Sequence, residues 1–392
     1  MHIVLVELYL VGHRRNYLYL YAKQILELGH KVSIVCADEE KFRDFIIIEK
    51  GLDVTICPLK NHEAESSIFS SRNFYSQYIL WKGLKRSLVG IRNIDFVFFM
   101  YFDDFIFDFN EKWVRPARIN NLIVRSLNKY YLPNFVDRCL PANWSGILFH
   151  PRFLKWKNVG CFFISKYNDS ICLLDETYDL TFTVKHKYMI PDVTDEQDPN
   201  PLSELAATVL IKAKGRRIIS LLGSLEKRKG IIPYLDVIQS ADADKYFFLL
   251  AGKLDITFSK EELDRLENVR RNLENCYCIF DGIPTEVDFN SLVKISDILY
   301  LVYIEFFHSS NLLTKASLFR KPVIVAKGYC MGKRVEHYNT GIAIANCNAE
   351  EIKYALDNFD SIFNPSKAQY SKYFSLHSET KLKDSLSIIL KI

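Results

Sequence analysis

Leu221-Leu222-Gly223-Ser224-Leu225-Glu226-Lys227-Arg228-Lys229-Gly230, entered from the apolar pair Ile218-Ile219, decides the fold of this chain. The pattern predicts a buried strand, a Gly-Ser turn, a basic loop and the start of a helix. A helix beginning there points backbone N–H groups and the positive end of its dipole above the strand, and Lys227, Arg228 and Lys229 add positive charge beside them. Such a turn suits a diphosphate. An ordinary strand-to-helix connection with solvated lysines has the same pattern, so the surrounding order of elements must arbitrate.

Beyond this turn the sequence predicts alternating elements: a strand at 218–222, a helix at 231–240, a strand at 246–251, a helix at 260–272, a strand at 277–280, a helix at 288–294, a strand at 298–302, a helix at 312–319 and a strand at 322–326. Towards the N-terminus the same alternation appears, with strands at 3–10, 31–36 and 53–57 separated by helices at 16–29 and 39–50. A Ser/Asn-rich loop at 63–73, a long helix to about residue 92, and strands at 95–101 and 146–149 follow. This β-α-β-α-β order is that of a parallel doubly wound sheet, and it occurs twice. The stretch 157–195 gives no clear assignment.

The chain has 392 residues, 49% of them hydrophobic, enough for two cores rather than one. Residues 191–201, with three prolines and four acids, read as a connector. The expected division is an N-terminal domain over 1–195, a linker over 196–216, a second domain over 217–365 and a helical tail over 366–392. The net charge of +4, from 51 basic and 47 acidic residues, argues against a nucleic-acid partner. Nine scattered cysteines, with only Cys276 and Cys278 close together, read as reduced buried thiols of a cytoplasmic protein rather than metal ligands. The N-terminus enters a strand directly and no run is long enough for a membrane span, so the expected location is the cytoplasm. The amphipathic stretch 112–131 either packs on its own sheet, with Arg118, Arg125 and Lys129 solvated, or rests on the inner face of an anionic membrane.

Gly223 through Gly230, Ala251-Gly252, Asp281-Gly282-Ile283-Pro284, Ser296-Asp297-Ile298, the run from Ser309 to Ala316, Lys321 to Ile324, Asn339 to Ile342, and near the start Gly12 and Gly29 to Val32 resemble, in order and spacing, the GT-B glycosyltransferases. The retaining family marked by two glutamates with seven residues between them is the particular likeness, and it spans almost the whole chain. The resemblance implies two Rossmann-like domains facing a cleft, and transfer of a sugar from a nucleotide-diphosphate donor, bound mainly by the C-terminal domain, to an acceptor. It implies that Lys229 contacts the donor diphosphate and that Ser224 stands where many members carry an arginine, so that part of that charge comes from Arg228 or Lys227 or is missing. Gly282 and Ile283 match the loop facing the nucleobase. Ser309, Ser310 and Asn311 match the turn whose amides hold phosphates and sugar.

Two positions depart from the family. Lys315 replaces the second glutamate, and Phe307 stands at the first, with Glu305 two residues early. Either the loop is longer and Glu305 takes the carboxylate's role, or the sugar is held differently. Lys315, a donor only, suits a phosphate or a donor carboxylate.

Read as residues, Ser309 and Ser310 suit the start of a helix whether or not a ligand binds there. With the turn at 223–230 they place two helix N-termini and three basic side chains around one diphosphate, so neither a metal nor any cofactor beyond the donor is required. At the strand ends of the N-terminal domain, Gly12, His13 and Arg14 are candidates for the acceptor side. Asp103, Asp104 and His150 are candidate bases, and each suits a structural hydrogen bond as well. An epimerase or hydrolase of the same fold, or a silent sugar-nucleotide-binding subunit, remains open. A dinucleotide oxidoreductase is disfavoured because neither first strand leads into Gly-x-Gly-x-x-Gly.

Overall fold

A computed structural model of the protein describes residues 1–60, 74–106, 121–149, 159–178, 180 and 184–391. The chain divides into two compact units: residues 1–191 with 379–392, and residues 192–378.

The first unit carries a seven-stranded parallel sheet. Its strands are β1 (His2–Val6), β2 (Lys31–Cys36), β3 (Thr55–Pro58), β4 (Phe96–Phe99), β5 (Asn143–Leu148), β6 (Ile171–Leu173) and β7 (Lys187–Met189), in the order β3-β2-β1-β4-β5-β6-β7. Uninterrupted apolar strands such as Phe96–Phe99 are what a parallel sheet covered on both faces demands. One side is packed with aromatic rings: Trp81, Phe99, Phe102, Phe105, Trp144 and Phe162 form one cluster. The unassigned stretch supplies β6 and β7, each only three residues long and without a legible period. The helix predicted at 39–50 is continuous in position but changes to π-helix at Asp44–Glu49.

In the second unit, six strands run parallel: β8 (Arg217–Leu222), β9 (Tyr246–Ala251), β10 (Cys276–Ile279), β11 (Ile298–Leu301), β12 (Val323–Ala326) and β13 (Gly341–Ile344), ordered β10-β9-β8-β11-β12-β13. Both sheets reverse direction beside their first strand, between β1 and β4 and between β8 and β11. In open parallel sheets the loops above the carboxyl ends of such a pair form the natural ligand crevice.

The partition differs from the sequence division at both crossings. The expected linker contains the helix Glu204–Ala213, capped by Ser203 and belonging to the second unit. Of the C-terminal tail, residues 366–378 stay with the second unit while the helix Glu379–Leu390 belongs to the first, where Glu379 accepts from Lys23 at 2.7 Å. Chain order alone does not show that return. The expected loop at 63–73 and residues 112–120 of the amphipathic stretch lie outside the described residues; the helix there is Asn121–Cys139. No described helix is long and apolar enough to cross a membrane. None of the nine cysteines is joined in a disulfide, and Cys276 Sγ lies 3.5 Å from Cys278 Sγ.

Candidate functional site

The turn after β8 is built by close backbone approach. Gly252, at the end of β9, packs so tightly that a Cβ there would lie 1.6 Å from the Gly223 carbonyl oxygen. Gly230 has φ +68°, and a Cβ on it would meet the Val302 carbonyl oxygen at 2.4 Å, so only glycine fits. Between these glycines the backbone of Lys227–Lys229 forms a 3-10 turn, and the helix Ile231–Ser240 begins without a side-chain cap. The loop after β11 is tied to this turn by the Ile304 N–H, which donates to the Arg228 carbonyl at 2.7 Å. It leads into the helix Asn311–Leu318, whose N-cap Ser310 likewise makes no side-chain cap bond. By contrast, the helices starting at Glu204, Lys260, Glu286 and Ala349 are closed by Ser203, Ser259, Thr285 and Asn348. The helix N-termini at this switch point therefore keep their dipoles uncovered by side-chain oxygens.

The three basic residues of the turn are not equivalent. Lys227 pairs with Glu262 at 2.5 Å, and Arg228 with Glu226 at 2.5 Å, its guanidinium 4.9 Å from the Phe306 ring. Lys229, which the sequence treats as a loop lysine, is only 8% exposed. Its ammonium has a weak contact to the Leu222 carbonyl at 3.4 Å and lies 5.6 Å from the Tyr303 ring; no carboxylate pairs with it among the described residues. Burial, reinforced by the Arg228 charge, lowers its pKa to about 8. Ser224 is exposed.

Lys315 is 3% exposed and donates to Glu286 Oε2 at 2.9 Å and Asn290 Oδ1 at 2.6 Å. Its charge is answered inside the unit by a residue that the sequence reading did not single out. Ser309 Oγ donates to Asp192 and accepts from Arg334 Nη1. Glu305 is exposed with φ +49°, an uncommon backbone state for a non-glycine residue. Phe307 is half exposed with its ring edge-on to Tyr329. Gly282 takes φ +99° and Ile283 packs partly against the sheet's core.

In the first unit, the strand predicted to run to residue 10 ends at Val6, and Glu7 becomes a residue of the β1–β4 switch point. Arg14 Nη1 donates both to Glu7 Oε1 at 2.9 Å and to Asp104 Oδ2 at 2.7 Å, and the guanidinium lies 3.6 Å from the centre of the Tyr101 ring. Burial lifts the Glu7 carboxyl to about 7 against the attraction of Arg14. Asp103 is fully buried and accepts from the Phe149 N–H at 2.8 Å, which anchors the end of β5. Gly12 takes φ +53° before the helix His13–Glu27, and His13 rests against Phe149 and Tyr17. His150 lies outside the described residues. Sequence reading missed Glu7; an acid closing an otherwise apolar strand was the available signal.

Two parallel doubly wound units of this order define the GT-B fold of glycosyltransferases. No family model and no curated protein sequence matches the chain. Among solved structures it is similar to a glycosyltransferase from Rickettsia africae (14% identity, TM-score 0.64, covering 100% of this chain and 97% of that one). HepE of Anabaena in complex with UDP and glucose is similar at 12% identity and TM-score 0.67, covering 100% and 99%. Sucrose-phosphate synthase of Thermosynechococcus elongatus is similar at 12% and 0.65, covering 100% and 98%. At these identities the likeness is one of fold.

Proposed function

We propose that the protein transfers a glycosyl group from a nucleotide-diphosphate sugar to a hydroxyl acceptor, a glycan or a lipid-linked sugar, in the assembly of a cell-surface or secreted polysaccharide. The observation that carries this reading is Lys229. A buried ammonium without an ion-pair partner among the described residues is costly and is relieved by an anion. It sits at the switch point of the second sheet, next to the uncapped helix start at Ile231, where a diphosphate gains from both the charge and the dipole. Lys229 and the backbone of Gly223–Gly230 hold the phosphates, the Ser309–Asn311 turn adds amides, Gly282 and Ile283 face the base, and Glu305 faces the donor sugar.

The leaving diphosphate is stabilised by this lysine and these dipoles, so turnover needs no divalent cation. Chelation with EDTA leaves the rate unchanged on this reading; loss of activity restored by magnesium or manganese overturns it. The protein acts in the cytoplasm or at the inner face of a membrane. Structures of HepE hold UDP and UDP-glucose, which makes these the first probes. A panel of nucleoside diphosphates and nucleotide sugars is tested by thermal shift, where a ligand at a hundred times its Kd adds about 2.7 kcal/mol. The expected result is a shift that Lys229→Ala reduces by at least about half. A shift unchanged by that substitution, or none with any member of the panel, refutes the site.

A further inference from the structure

The charge of Lys315 is answered by a network that ends at one surface-facing group. Its ammonium donates to Glu286 Oε2 at 2.9 Å and to Asn290 Oδ1 at 2.6 Å. Asn290 continues the chain inward, its Nδ2 donating to the Gln197 carbonyl at 2.8 Å and to Asp195 Oδ1 at 3.3 Å. Asp195 in turn accepts from the backbone and the side chain of Gln197. Lys315, Asn290 and Asp195 are buried, whereas 32% of the Glu286 side chain is exposed. Two carboxylates thus serve one ammonium, Glu286 directly and Asp195 through Asn290. A pair buried this far gains little against water, but it holds the Glu286 carboxylate in one place.

That place adjoins the Lys229 turn. Glu286 opens the helix Glu286–Ile295 shortly after Gly282 and Ile283, and Phe289 lies one turn further on. The Lys315 nitrogen is 4.9 Å from the centre of the Phe289 ring. The edge of the same ring comes to 3.8 Å from where a Cβ on Gly223 would stand, and the Lys229 nitrogen is 3.2 Å from that point. One half-buried phenyl ring therefore lies between the Lys315–Glu286 pair and the buried ammonium of Lys229. A nucleoside diphosphate has a matching layout, with its ribose diol beside its phosphates. We propose that Glu286 reads the ribose of the donor: the 2′- and 3′-hydroxyls donate to its carboxylate, so the site takes a ribonucleoside diphosphate in preference to the 2′-deoxy form. The inference rests on the diphosphate reading of Lys229 and narrows it to a class of donor. A carboxylate is an acceptor with lone pairs enough for Lys315 and a diol together. Lys315 acts through it as a positioning residue, and a site built to accept from a hydroxyl rejects the analogue that lacks it.

The test is calorimetric titration of the full chain, without an acceptor, using whichever of UDP, GDP and ADP binds tightest and its 2′-deoxy counterpart. Wild type is expected to bind the ribonucleotide about tenfold more tightly, the worth of one hydrogen bond to a charged group. Glu286→Gln keeps a carbonyl oxygen for Lys315 and puts an amide donor in place of the second oxygen. It is expected to weaken the ribonucleotide about tenfold, leave the 2′-deoxy form unchanged, and so erase the preference.

A wild type that binds both forms equally, or the 2′-deoxy form more tightly, overturns the inference and leaves the diphosphate reading standing. So does a preference retained in Glu286→Gln, or an equal loss for both forms, which would make Glu286 structural only. If Glu286→Gln does not fold, Glu286→Asp decides: it keeps the charge but withdraws it by one methylene, and the preference is expected to shrink, whereas an undiminished preference overturns the inference. A wild type that binds no nucleoside diphosphate overturns both readings.

Discussion

Each unit sets a largely buried cation above the reversal of its sheet, and the two cations are treated in opposite ways. Above β1 and β4, Arg14 is clamped by two carboxylates and lies on an aromatic ring. Above β8 and β11, Lys229 is buried without an ion-pair partner among the described residues, while its neighbours Lys227 and Arg228 are paired. The first arrangement is complete in itself; the second is the one on which the proposed diphosphate site rests. One fold, used twice, thus carries one cation paired inside its unit and one without a carboxylate partner, and the difference lies in which partners the local turns supply.

The comparison is broken most forcefully at Gly252. A side chain there collides with the Gly223 carbonyl, so Gly252→Ala is expected to cost on the order of 4 kcal/mol and to abolish any nucleotide-induced shift. Thermal unfolding checks this; a protein of wild-type stability that still binds would show that the turn has slack. A smaller effect tests paired against unpaired lysines within the second unit. Lys315→Ala removes the buried cation that Glu286 and Asn290 hold, with Glu286 within reach of water, so the expected stability loss is about 2 kcal/mol. Chemical denaturation measures it, and a loss of nucleotide affinity without a loss of stability would instead assign Lys315 to the ligand.

Lys229→Ala is expected to weaken nucleoside-diphosphate binding by about 10- to 100-fold, the worth of a charge-assisted contact, without lowering stability. Calorimetric titration in buffers of different ionisation enthalpy should also show proton uptake on binding around pH 8, because the anion restores the ammonium. The sign of its effect on folding follows from the depressed pKa: the contribution to stability is present above the unfolded value of 10.5 and lost as pH falls through about 8. The smallest effect concerns Glu7, whose raised carboxyl works in the other direction. Its contribution is present below the unfolded value of 4.5 and lost as pH rises through about 7. Glu7→Gln is expected to remove that part of the stability profile, as melting temperatures taken across this range would show.

Much of the fold was legible because parallel sheets covered on both faces require apolar strands, and glycines mark the turns that follow them. The strand and turn at 217–230, the helices Ile231–Ser240 and Lys260–Asn272, and the strand Tyr246–Ala251 follow from that rule directly. The strands β6 and β7 were illegible because three residues carry no period. The return of Glu379–Leu390 to the first unit was illegible because local pattern holds no information about which core a terminal helix joins.

The candidate site divides the same way. By itself the sequence determined where charge and glycine meet the ends of strands, since backbone strain and helix dipoles are local and leave a signature in residue type. Only the tertiary structure decided which charges are spent. Lys227, Arg228 and Lys229 are nearly interchangeable as letters, yet the first is answered by Glu262, the second by Glu226, and the third is buried. Likewise, Glu7 and Asp104 come together on Arg14 from positions 97 residues apart in the chain. Pairing and desolvation depend on distances in space, and those are set by the packing of the whole sheet rather than by neighbours in sequence.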